Sequence, residues 1–151
     1  MPETMRPSGS PSLVDRAAIN DLLVRYCHTI DDKDWAAFES LFTADAIVDF
    51  TAFGGPRCGV PGLVEFLRGV ALQVHDWQHT ISTVLLTADG DVVHSRAAAQ
   101  VMMITHGDDS FDQVVFSGLW YRDRLVCTDQ GWKISERVQQ RSWMHVVTPT
   151  A

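Results

Sequence analysis

Several things are scarce in this 151-residue chain, and each scarcity removes a class of function. There are three cysteines, Cys27, Cys58 and Cys127, none in C-x-x-C spacing. An odd count with no secretory leader points to reduced thiols and a cytoplasmic setting, not a disulfide framework. Basic residues number 12 against 19 acidic ones, a formal net charge of -7. Such a chain has no general attraction for nucleic acid or anionic membrane, and its densest basic segment, "ERVQQRSW", is short and mixed. No apolar run approaches the roughly 20 residues needed to cross a bilayer. There is no G-x-G-x-x-G, no P-loop and no G-x-S-x-G, so none of these motifs argues for nucleotide binding or a serine nucleophile.

What is present suits one globular domain with a real core: 46% hydrophobic and 21% charged residues. The opening "MPETMRPSGSPS" is polar and rich in Pro and Ser. Residues 1–11 are predicted to form a flexible arm, 12–147 the folded domain and 148–151 a short tail.

Ser12 followed by Asp15 reads as a helix start. Ile19, Leu22, Leu23, Tyr26 and Ile30 then mark one apolar stripe of a first helix. After "DDKD", with Asp32 as the expected N-cap, a second helix presents Trp35, Phe38, Leu41 and Phe42. A short strand is expected over Ile47–Phe50, then a loop at "TAFGGPRCG" and a third helix at "VPGLVEFLRGVALQV", with Pro61 in its first turn. Four long strand-like runs follow, separated by "TADGD", "GDDS" and "DQG". Helices first and an antiparallel meander afterwards make an α+β fold. A long curved sheet closed over by helices would form a cone with a pocket inside, a natural small-molecule site.

The chemistry concentrates in "HDWQHTISTVLL". Strand alternation puts His79 on the face of Trp77, Ile81, Thr83 and Leu85, which should point inward. An inward imidazole is either a core histidine bonded to a carbonyl or a general base. A base needs a carboxylate to fix its tautomer, and Asp31 is the candidate. It ends the first helix, where the dipole disfavours a negative charge by roughly 0.3–1 kcal/mol. Tyr26, on the apolar stripe, is either core or a phenol that reaches a substrate oxygen. Lys133, Arg137 and Gln139 share a strand face that reads as solvated unless a bulge turns one inward.

Metal chemistry finds little support. His75 and His79 stand at i, i+4, but on a strand and with no glutamate between them. His94 and His106 are too far apart along one strand. No metal and no cofactor is expected. Cys27 has no evident base beside it and is a poor nucleophile candidate.

The segment "DRAAINDLLVRYCHTIDDKDWAAFESLFTADAIVDF", continued by "QHTISTVLL" and "SGLWYRDRLVCTDQGWKISERV", resembles SnoaL-like domains of the nuclear-transport-factor-2-like superfamily. The resemblance spans about residues 13 to 145 and implies a cone-shaped α+β fold. Within that group the motifs look closest to scytalone dehydratase, bile-acid 7α-dehydratase and hexachlorocyclohexane dehydrochlorinase. Those lyases use an Asp–His dyad, and the resemblance assigns it to Asp31 and His79, with Tyr26 as the dehydratase phenol. It makes Arg137 similar to an arginine lining the dehydrochlorinase pocket. Trp35, Phe50 and Phe53 are expected to contact the substrate, because Trp and Phe side chains suit an apolar one. Phe50 and Phe53 stand where the dehydratases carry a second tyrosine. Tyr26 stands in place of the dehydrochlorinase lysine.

The function expected is a small lyase, a dehydratase, acting on an apolar polyketide-, steroid- or terpenoid-like substrate. An isomerase or cyclase using the same base is the alternative within enzymes. A non-catalytic ligand-binding protein, or a subunit resembling the small subunit of ring-hydroxylating dioxygenases, is the alternative outside them. A homo-oligomer, trimer or dimer, is expected to cover the open face of the sheet.

Overall fold

In the computed structural model, residues 9–106 and 112–148 are described. The predicted arm up to residue 8, the "GDDS" turn and the tail beyond residue 148 lie outside the described residues. Gly9, within the predicted arm, exchanges two backbone hydrogen bonds with Ala88.

Helix α1 spans Leu13–Asp31. Ser12 Oγ accepts from the Asp15 N–H at 3.1 Å and donates to the Asp15 carboxylate at 2.6 Å, which stops fraying. The predicted stripe of Ile19, Leu22, Leu23, Tyr26 and Ile30 is buried. Helix α2 spans Trp35–Ser40. Its cap differs from expectation: Asp34, not Asp32, accepts from the Ala37 N–H at 3.1 Å. Lys33 takes a left-handed φ of 58°. The sharp reversal consumes Asp32 in finishing α1 and hands the capping role to the later aspartate.

Strand β1 runs Phe42–Asp49, earlier and longer than expected. Phe42 therefore leaves α2, yet still packs against Phe38 with ring centroids 5.3 Å apart. Strand β2 is Arg57–Gly59, followed by α3 (Val60–Gln73), β3 (Val74–Asp89), β4 (Val92–His106), β5 (Asp112–Thr128) and β6 (Gly131–Val147). They form one curved, unclosed six-stranded sheet in the order β2-β1-β6-β5-β4-β3. Only β1 with β6 is parallel; the other pairs are antiparallel. Helices α1 and α3 pack on the sheet, so the fold is the expected α+β cone.

Bulges decide which side chains enter the cone. On β3, Ser82 pairs with Ala98 and Leu85 with Arg96, so Thr83 and Val84 oppose Ala97 alone. Thr83 has φ 53°. The predicted inward face is correct for Trp77, His79 and Ile81, but it switches there. Leu85 is 63% exposed, while Leu86 is buried at 7%. On β6, Leu125 pairs with Ile134 and Arg124 with Glu136, leaving Ser135 as the extra residue. That bulge turns Arg137 inward together with Ile134, both fully buried. The solvated-face alternative for Arg137 is thereby overturned.

Arg137 enters a buried polar row across three strands: Ser95 opposite Asp123 opposite Arg137. Asp123 accepts from Arg137 Nε and Nη2, each at 2.7 Å, and from Ser95 Oγ at 3.1 Å. The guanidinium lies between two rings, 4.0 Å from Tyr26 and 4.1 Å from Tyr121. Burial opposes its charge, but the Asp123 carboxylate outweighs that and raises the Arg137 pKa. Breaking such a pair on one side strands a buried charge and costs about 3–5 kcal/mol. Asp123→Ala should lose that much stability in urea denaturation; a loss under about 1 kcal/mol would show that the row is not holding the sheet.

Candidate active site

The end of α1 and the start of β3 are tied by side chains at two successive residues. The Trp77 indole donates to the Ile30 carbonyl at 3.1 Å, satisfying a helix-end acceptor. Asp31 then receives the backbone N–H of His79 on both oxygens, at 3.0 and 3.1 Å. Asp31 Oδ1 also lies 2.6 Å from His79 Nδ1. An ionised carboxylate only accepts, so Nδ1 is the donor in this contact, and in the neutral ring the lone pair is then on Nε2. Three hydrogen bonds thus offset the unfavourable placement of a carboxylate at a helix C-terminus.

His79 lines a cavity of about 250 Å³ inside the cone. Phe50, Phe53, Phe66 and Trp77 supply aromatic walls, and Val101 and Leu119 part of the sheet floor. Ser117 and Gln139 are its other polar side chains. His79, Val101 and Ser117 are consecutive partners across β3, β4 and β5. At strand spacing, His79 and Ser117 are roughly 10 Å apart, enough to place a substrate between them. A larger groove, about 390 Å³, runs over Asp21, Arg25 and Lys133 on the outside. It holds no imidazole and no buried acid–base pair, so the smaller inner cavity is the better candidate.

The structure brings His79 and Asp31 together and puts Phe50 and Phe53 on the cavity wall. It does not bring Tyr26, Arg137 or Trp35 to that wall. Along β5 the interior is divided: Ser117 and Leu119 line the cavity, whereas Tyr121 and Asp123 are sealed behind it. Tyr26 belongs to the sealed side. It is fully buried against Phe38, Phe42 and Tyr121. Its hydroxyl, that of Tyr121 and Arg137 Nη1 lack well-aligned hydrogen bonds among the described residues. Burial raises the Tyr26 pKa despite the opposing Arg137 charge, so this phenol stays neutral. Trp35 sits between α2 and α3, edge-on to Phe38 and beneath Arg68.

Phe66 and Ser117 escaped the sequence reading, whereas Gln139 is on a strand face that reads as solvated unless a bulge turns it inward. Ser117 alternates with Leu119 and Tyr121 on one strand face, so parity along β5 would have found it. Cys27 remains unpromising: burial pushes its thiol up to about 11, with Arg137 opposing and Asp31 adding to the shift. Among the described residues no helix is long and apolar enough to cross a membrane.

The sequence profile of the SnoaL-like domain matches residues 11–138. The chain is 33% identical over 133 residues to the uncharacterized protein Rv2910c of Mycobacterium tuberculosis, covering 88% of this chain and 89% of that one. Its fold is similar to that of a proposed aromatic ring hydroxylase of Novosphingobium aromaticivorans, with TM-score 0.80, 25% identity and 93% and 96% of the two chains covered. A proposed scytalone dehydratase of the same organism superposes with TM-score 0.75, 18% identity and 92% and 91% coverage. A type 2 hexachlorocyclohexane dehydrochlorinase, LinA, does so with TM-score 0.78, 19% identity and 91% and 92% coverage.

The hydrogen-bond geometry at His79 has a direct spectroscopic consequence. In ¹⁵N NMR, neutral His79 should be the Nδ1–H tautomer, and Asp31→Asn should shift that balance in a protein that remains folded. An unchanged tautomer in Asp31→Asn would mean that other contacts orient the ring.

Proposed function

Since the chain belongs to the SnoaL-like domain family, we propose that it is a small lyase, a dehydratase, whose base is His79 oriented by Asp31. The observation that supports this most is the 2.6 Å contact of His79 Nδ1 with Asp31 in a ring that lines an apolar cavity. His79 Nε2 takes a proton from a carbon next to a carbonyl. The C–H electron pair becomes the new C=C bond, the β C–O bond breaks, and hydroxide leaves as water once protonated. The imidazolium formed is paired with Asp31 and is the proton donor that returns the site to its starting state.

Ser117 and Gln139 take the place of the second tyrosine of the dehydratases. Either can donate to the carbonyl oxygen as charge develops on it. Tyr26 serves this scheme from behind: with Phe42 and Tyr121 it packs the sealed side of the domain. The substrate is compact, because about 250 Å³ is below the roughly 300–1,000 Å³ of most ligand sites. Its aromatic walls favour a fused-ring or terpenoid-like β-hydroxy ketone. The hydrophobic side chains Trp143, Met144, Val146 and Val147 on β6, all 43–45% exposed, favour a homo-oligomer that covers them.

The test is elimination from a set of hydroxylated polycyclic ketones, followed by loss of water. His79→Gln should abolish turnover in a folded protein. Asp31→Asn should lower kcat by a factor of about 10²–10⁴, and Ser117→Ala should lower kcat/KM. Full activity in His79→Gln would remove the base assignment. Rearranged product without loss of water would turn the reading to an isomerase.

A further inference from the structure

A second cluster of chemistry-bearing side chains lies outside this site, and nothing in the proposed reaction uses it. His106 ends β4 and is the direct cross-strand partner of Asp112, which opens β5. Both side chains therefore leave the sheet on one face. His75 reaches them from β3. There Val74 pairs with Thr105 and Asp76 with Ile104, so His75 is the extra residue of a bulge. The bulge frees His75 from the ladder and lays its ring against that of His106, with centroids 3.9 Å apart.

The three donor atoms converge. His75 Nε2 is 3.6 Å and His106 Nδ1 is 3.4 Å from Asp112 Oδ1. All three lie within 4.8 Å of one another. Bonds of about 2.0–2.2 Å at tetrahedral angles place ligand atoms roughly 3.3–3.6 Å apart. The two contacts to Asp112 are close to that spacing before any ion is bound. Two imidazoles and a carboxylate form a donor set suited to zinc and its transition-metal neighbours, not to calcium or magnesium. The side chains are 49%, 71% and 52% exposed for His75, His106 and Asp112. An ion here would keep a position open to solvent or a small ligand.

We propose that His75, His106 and Asp112 form a binding site for a divalent transition metal of the zinc class, separate from the His79 cavity. The site joins three consecutive strands, β3, β4 and β5, at one end of the sheet. It is adjacent to the Trp77–Met103 pair, and both of those residues line the cavity. A bound ion would cross-link the strand ends beside the cavity wall and hold the β4–β5 hairpin against β3.

The test uses tag-free protein and two probes, Zn²⁺ by calorimetry and Co²⁺ by its visible absorption. Saturable binding of one ion per chain is expected, with the intense Co²⁺ bands of a four-coordinate site and a rise in Tm on adding Zn²⁺. His75→Ala, His106→Ala and Asp112→Asn should each weaken binding by more than about tenfold. All three positions are exposed, so folding should survive, and circular dichroism checks this. His94→Ala, a histidine outside the cluster, should bind as the wild type does. Absence of saturable binding, or binding that persists in His75→Ala and His106→Ala, would overturn the proposal. A bound ion lost in His79→Gln but retained in His106→Ala would place the metal in the cavity and overturn it equally.

Discussion

The carboxylate of Asp31 is the hinge of the structure. It receives the backbone N–H of His79 on both oxygens and faces His79 Nδ1 at 2.6 Å, so the same group registers a helix against a strand and orients a ring. Its 22% exposure leaves it shielded enough for these bonds to matter. Without it the C-terminus of α1 and the first inward residues of β3 would be held by the Trp77–Ile30 bond alone among these contacts. Position and chemistry are coupled: moving α1 moves the imidazole.

A second constraint lies deeper. The row Ser95–Asp123–Arg137 buries a full ion pair, and the rings of Tyr26 and Tyr121 close over the guanidinium. A buried pair of this kind adds little net stability over apolar packing, yet it punishes any other strand register. Only the bulge at Ser135 brings Arg137 opposite Asp123 on the inner face. The sealed half of the cone is therefore polar but fixed, and the open half is apolar with a few polar groups. That contrast makes the His79 cavity a place where a proton transfer would be shielded from bulk water.

Much of this was legible in the residues and some was not. The α1 stripe, the helix-then-meander order and the inward His79 follow from periodicity alone. Three features did not, for a common reason: each depends on an added residue or a positive φ that leaves no mark in the hydrophobic pattern. Thr83 reads as an ordinary member of an alternating strand, yet its φ of 53° reverses the faces beyond it. Arg137 reads as a neighbour of Lys133 until Ser135 bulges. In "DDKD" three aspartates compete for one cap, and the left-handed Lys33 decides for Asp34. Spacing along the chain also pairs His75 with His79, whereas folding pairs it with His106, thirty-one positions away. The resemblance to lyases chose Asp31 and His79 but also drew Tyr26 and Arg137 toward the pocket. The packing of this chain keeps those two behind the cavity wall.

The most direct measurement of the central claim needs no knowledge of the leaving group. A compact fused-ring ketone without a β-hydroxyl would be incubated with the protein in D₂O, and exchange at the α-carbon followed by ¹H NMR. Exchange catalysed by the wild type and absent in folded His79→Gln is the result expected of an oriented base at a substrate carbon. Equal exchange with both proteins, or no exchange for any ketone shown to occupy the cavity, would contradict it and leave a binding pocket in place of an active site.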